Sequence, residues 1–192
     1  VISDWAFCDS KKLNRITMPD SVNEIGEGAF CNCTLLDEIE IPDSVTFIDM
    51  FAFSYCSGLT NLTIPDSVTS IGGGAFSDCT SLQSVTIPDS VIYMEPYVFV
   101  ECSSLSSVTF GKGLTKIENG TFKFCTSLPS INIPGHVTET GESAFDDSGL
   151  TSITIPDSVT TIGQSAFTYC TALTSVTISD SVTTIGQSAF NY

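Results

Sequence analysis

Six cysteines stand at one fixed place in a recurring pattern: Cys33, Cys56, Cys79, Cys102, Cys125 and Cys170, each three residues after a phenylalanine. Thiols invite metal ligation or redox chemistry. A metal site needs four ligands converging tetrahedrally, and a straight column cannot converge. The ladder therefore reads as small buried side chains that pack as hydrophobes. Cys8 and Cys31 differ, since each follows its phenylalanine by one residue. Stacked coils would bring their Cα atoms to about 5 Å, within disulfide range, yet parallel Cβ vectors bridge poorly. A staple, a reactive thiol pair and two free thiols all stay open.

A second ladder is acidic: Asp20, Asp43, Asp66, Asp89, Asp157 and Asp180, interrupted at Lys112 and Gly135. Stacked carboxylates repel, so each is expected to accept a backbone N–H within its own turn. A stripe holding a divalent cation such as calcium is the sharper alternative. Catalytic signals are weak. The single histidine, His136, takes the place of a turn serine. A triad needs a nucleophile and base oriented together, and Ser and Asp are too frequent here to mark one. No P-loop, G-x-S-x-G or H-E-x-x-H occurs. The chain reads as a non-enzyme, with no catalytic, cofactor-binding or metal residues expected.

These ladders follow from a repeat that runs through the whole chain. Phe7, Phe30, Phe53, Phe76, Phe99, Phe122, Phe145, Phe167 and Phe190 recur every 23 residues, with one interval of 22 before Phe167. A period in this range predicts a solenoid. Leu stands six residues after the Phe, as at Leu36, Leu59 and Leu82, and five after Phe145, at Leu150. Apolar residues follow at nine and eleven, as Ile39 with Ile41 and Leu62 with Ile64. Residues two apart share one face of a strand. Pro then ends the strand because it cannot donate to a ladder, and Asp-Ser supplies turn chemistry. A second inward pair, such as Val45 and Ile48, precedes a G-x-x-A-F closure that reads as a short helical or irregular turn. One coil cannot bury its own Phe, Leu and Ile, whereas stacked coils bury each other's. About eight coils at ~4.8 Å make a rod of roughly 40 Å.

The pattern Leu-x-x-hydrophobic-x-hydrophobic-Pro, then Val-x-x-Ile-Gly-x-x-Ala-Phe-x-x-Cys, is met at Leu59 to Cys79 (LTNLTIPDSVTSIGGGAFSDC). It resembles the BspA-type leucine-rich repeats, and the resemblance covers essentially the whole chain. It implies a leucine-rich-repeat-like curved right-handed superhelix with a parallel β-sheet and short helical or irregular turns. It also implies surface or secreted proteins that adhere to or bind other proteins. Residues 1–192 are thus expected to form one leucine-rich-repeat domain. The chain opens mid-repeat, so it reads as a piece of a longer array.

Composition narrows the partners. The net charge is −16, from 22 acids against 6 bases. That disfavours nucleic acid, whose phosphates need clustered Lys and Arg, and it disfavours anionic membranes. No apolar run approaches the ~18 residues of a membrane span. Half of the bases, Lys112, Lys116 and Lys123, lie in or just after GKGLTKIENG, which replaces a consensus turn. They are expected to neutralise neighbouring carboxylates. Arg15 and Glu38 fall in one outward column and should pair at the surface.

Two sets of outward residues form the candidate interaction surface. One is the polar strand file of Thr63, Thr86, Thr109, Thr154 and Thr177, flanked by Ser and Asn, which could dock a protein, less readily a glycan, or be a solvated face. The other is aromatic. Trp5, Phe51 and Tyr97 stand two before their Phe, with Gly28, Gly74 and Gly120 between them. Phe47 and Tyr93 stand four residues earlier, and Tyr55 four after Phe51. Clustered exposed aromatics mark interaction sites. Glycine between them either leaves room for a partner group or lets the rings fold down over the turns. Sequons at Asn32, Asn61 and Asn119 matter only in a secreted eukaryotic protein. Apolar ends at Ile2 and Phe190 suggest end-to-end self-association.

Overall fold

In the computed structural model, which describes residues 1–191, the chain is a stack of coils built from short parallel strands. Two-residue strands β1 (Glu24–Ile25), β3 (Phe47–Ile48), β5 (Ser70–Ile71) and β7 (Tyr93–Met94) form one narrow sheet. It resumes as β9 (Lys116–Ile117), β10 (Glu139–Thr140), β12 (Thr161–Ile162) and β14 (Thr184–Ile185). The wider sheet holds β2 (Glu38–Glu40), β4 (Asn61–Thr63), β6 (Ser84–Ile87) and β8 (Ser107–Phe110), and then a separate pair, β11 (Ser152–Ile155) and β13 (Ser175–Ile178). Residues 23 apart pair directly, as Leu62 with Val85. The offset is 22 across the short interval, as Thr140 with Ile162.

Among the described residues the closing turns contain no helix, contrary to the helical option for the G-x-x-A-F stretch. The reason is a left-handed residue on each side of the Phe. Two before it come Phe51 (φ 55°), Gly74 (61°) and Tyr97 (64°), and two after it Tyr55 (60°), Asp78 (57°) and Glu101 (60°). Single αL residues reverse the chain but cannot propagate a right-handed helix. The wide-sheet file carries seven rungs from Glu38 onward, counting the strandless segment at Ile131, rather than eight coils. The segment around Ile16 forms no strand.

The core is a file of rings. Phe30, Phe53, Phe76, Phe99, Phe122, Phe145 and Phe167 are fully buried. Successive rings stack at 5.1 to 5.8 Å between centroids and within 15° of parallel. Their geometry is the offset stacking that adds to simple burial. Hydroxyls tie the coils from outside. Thr69 donates both its N–H (2.9 Å) and its Oγ1 hydroxyl (3.2 Å) to the Thr46 carbonyl one coil back.

Pro129 marks the break in the wide sheet. Its counterparts Gln83, Ser106, Thr151 and Thr174 each donate an N–H to the preceding coil. Proline has none to give, and no strand forms at 131–133. The short interval is absorbed just beyond. Ser148 stands where a ladder cysteine would, is buried, and lies 3.3 Å from Cys170 Sγ. Gly149 then lets the backbone pass so close that a Cβ would sit 2.1 Å from the Thr126 carbonyl oxygen. The Phe145–Phe167 stack is undisturbed at 5.1 Å, so the deletion tightens a turn without dividing the chain.

Candidate functional site: the outward sheet face and the aromatic file

The alternation of the wide strands buries Leu62 and Val85 and turns Thr63, Thr86 and Thr109 to solvent. These three threonines line an open groove of about 750 Å³, with Asp66, Asp89 and Phe110 along its margin. One and two coils earlier the same columns place Glu40 with Asp43 and Thr17 with Asp20 in a smaller hollow. Thr154 and Thr177 are also exposed, but they lie in β11 and β13, across the Pro129 break. Exposed Asn132, between buried Ile131 and Ile133, carries the outward column across the break, and the groove lies on the part before it.

The aromatic candidates lie elsewhere. Phe47 and Tyr93 belong to the narrow sheet, in register through Ser70. Phe51, Tyr97 and Trp5 lie on the left-handed turn, and Tyr55 on the other side of the buried Phe. Glycine does not leave an empty slot. A Cβ on Gly28 would fall 2.2 Å from the Trp5 ring, on Gly74 2.7 Å from the Phe51 ring, and on Gly120 2.2 Å from the Tyr97 ring. Each ring occupies the outward space above the glycine of the next coil, so the rings do fold over the turns. They still expose 48% (Trp5), 39% (Phe51) and 48% (Tyr97) of their surface.

The cysteine ladder is buried and hydrogen-bonded. Cys56 Sγ donates to the Phe30 carbonyl at 3.2 Å, Cys79 to Phe53 at 3.3 Å and Cys102 to Phe76 at 3.2 Å. Burial raises the ladder thiols' pKa, to about 12 for Cys125 and well above the usual value for Cys102, which suppresses the reactive thiolate. Cys8 and Cys31 are both free thiols. Burial, then the adjacent Cys8, raise the Cys31 thiol to about 11. The aspartate ladder does not cap its own turns. Asp89 Oδ1 accepts the N–H of Lys112 one coil on (2.9 Å), and Asp157 accepts the Ser179 hydroxyl (2.5 Å). In both cases the donor comes from the next coil and not from the turn's own backbone.

The basic coil pairs with acids as its composition suggested. Lys112 reaches Asp89 at 3.5 Å, Lys116 reaches Glu118 and Glu139 at 3.3 Å, and Lys123 reaches Asp146 at 2.7 Å. Arg15 meets Glu38 at 3.3 Å. His136 Nε2 lies 3.1 Å from the Gly111 carbonyl, doing the cross-coil work of a turn serine such as Ser67, which donates to Val45 at 2.6 Å. One pair escaped the sequence reading. Asp78 and Glu101 stand 23 apart on neighbouring left-handed turns, and burial, then the Glu101 charge, raise Asp78 to about 6.

Six copies of the BspA type leucine rich repeat region match the chain, over residues 1–116 and 93–192. A leucine-rich repeat protein from Bacteroides ovatus is similar in structure, with a TM-score of 0.74 and 29% identity over 99% of this chain and 67% of that one. A leucine rich cell surface protein from Faecalibacterium prausnitzii has a TM-score of 0.76 and 36% identity over 89% of this chain and 47% of that one. A leucine rich repeat protein of T. pallidum has a TM-score of 0.68 and 29% identity over 90% and 71%. The chain thus spans about half to two thirds of the first two relatives. No curated protein sequence matches significantly. Covered along its length by this repeat and folded like these proteins, the chain belongs to the BspA-type leucine-rich repeat family.

Proposed function

We propose that the chain is a non-catalytic, cell-surface module for protein binding or adhesion, and that its working surface is the outward face of the wide sheet. One observation carries this reading. Thr63, Thr86 and Thr109 line an open groove of about 750 Å³ flanked by Asp66 and Asp89, on a frame held rigid by the phenylalanine file. A rigid frame lowers the ordering cost of association. The surface location draws on the Faecalibacterium relative, described as a cell surface protein. The partner is a matrix or host surface protein, with a glycan the weaker fit.

The test is capture of purified matrix and host surface proteins by the immobilised chain, beside Thr86→Lys. Thr86 is exposed at the centre of the groove, so the substitution alters the face and not the core. Micromolar binding that falls at least about tenfold in the variant supports the reading. Binding indifferent to Thr86→Lys removes the groove. No partner at micromolar concentration favours a structural spacer within a larger surface protein.

A further inference from the structure

We propose that Trp5, Phe51 and Tyr97 form a docking file for a basic, proline-rich segment in the polyproline II conformation. The file lies on the left-handed turns, and its test leaves the groove of the wide sheet untouched. A Cβ on Gly28, Gly74 or Gly120 would fall 2.2–2.7 Å from the ring of Trp5, Phe51 or Tyr97, so each ring occupies the space that the glycine leaves. Each ring therefore forms a plate that covers the glycine of the next coil while 39–48% of the residue stays in solvent.

The plates recur every second coil, so at ~4.8 Å per coil they are about 9.6 Å apart. One turn of polyproline II, three residues rising about 3.1 Å each, covers about 9.3 Å. A chain with proline at every third position thus presents like rings to successive plates. Aromatic surfaces recognise such helices because the conformation is preformed and little entropy is lost on docking. Trp5 and Tyr97 add a ring N–H and a hydroxyl for the carbonyls of a helix that has no internal hydrogen bonds. Phe47 and Tyr93 repeat the two-coil rhythm in the neighbouring column.

Charge selects the flanking residues. The positions beside the plates carry Asp4, Glu27, Asp49 and Glu95, while Lys116 and Glu118 pair with each other at 3.3 Å. An acidic rim around apolar plates complements lysine or arginine on the ligand.

The experiment titrates the whole chain with a twelve-residue peptide of repeating Pro-Pro-Arg and follows Trp5, the only tryptophan. Parallel titrations use a Gly-Gly-Arg peptide of the same length and a neutral β-1,4-linked glucose hexamer. Phe51→Ser and Tyr97→Ser are the variants. Ser143, Ser165 and Ser188 already occupy this column at φ 52–56°, so serine suits its backbone. The expected result is saturable binding of Pro-Pro-Arg that weakens with salt, falls at least about tenfold in either variant, and is unchanged in Thr86→Lys. Equal binding of the glycine peptide, binding of the hexamer alone, no binding at all, or binding indifferent to both serine variants would overturn the proposal.

Discussion

The energetic weight of the phenylalanine file can be read from one residue and its counterpart at the end. Phe76 is fully buried, with Phe53 at 5.3 Å on one side and Phe99 at 5.6 Å on the other. Truncation to alanine removes the whole ring and should cost about 3–5 kcal/mol. The two ring-ring contacts contribute about 0.5–1.5 kcal/mol each beyond burial, which places the loss in the upper part of that range. Phe7 is only partly buried and has one stacking neighbour, Phe30 at 5.2 Å. Phe7→Ala should cost about half as much. Typical domains hold about 5–15 kcal/mol in all, so Phe76→Leu supplies a milder probe that keeps apolar bulk and removes only stacking, roughly 1–3 kcal/mol. Urea unfolding followed by circular dichroism gives each difference from the midpoint shift. Equal costs at Phe7 and Phe76, or no cost for Phe76→Leu, would refute the reasoning.

Further expectations concern polar groups in the stack. Thr140 is fully buried in a column otherwise filled by Ile and Met, and its hydroxyl has no partner; Thr140→Val should stabilise the chain by about 1–3 kcal/mol, read as a higher urea midpoint. Asp78 titrates near 6 when folded, above the usual ~3.9 of the unfolded chain. The folded state therefore binds the extra proton between about pH 4 and 6, and stability should fall as pH rises through that window and stay low above it. Asp78→Asn should flatten that part of the pH profile and raise the midpoint at pH 7.5; an unchanged profile would remove the carboxylate pair as its cause.

Much of this architecture was legible because a solenoid turns sequence period into spatial contact. The 23-residue spacing alone placed Phe53 beneath Phe76, Arg15 beside Glu38, and the three central lysines against acids. The ladder cysteines were legible as buried side chains, although their bonds to the preceding coil's Phe carbonyl require coordinates. Less visible was anything set by a single backbone group. Pro129 interrupts the wide sheet by lacking one N–H, a signal present in the sequence but masked by its apolar neighbours. The aspartate ladder misled, since turn chemistry suggests local caps while Asp89 and Asp157 take donors from the next coil. The left-handed turns had a signal in the alternation of Gly with aromatics, and in Asp9, Asn32, Asp78 and Asp147 two after the Phe, residue types that tolerate φ > 0. The candidate surface divides for the same reason. Outward direction is readable from period, but which outward columns share a face depends on where the turns bend.

The central claim is that like side chains lie directly above one another in consecutive coils. Nuclear Overhauser contacts between ring protons in phenylalanine-labelled protein, assigned with single Phe→Leu variants, test it most directly. Stacking at 5.3 and 5.6 Å predicts strong contacts from Phe76 to both Phe53 and Phe99 and none between Phe53 and Phe99. A direct Phe53–Phe99 contact, or none from Phe76 to either ring, would contradict the stack and every surface assigned from it.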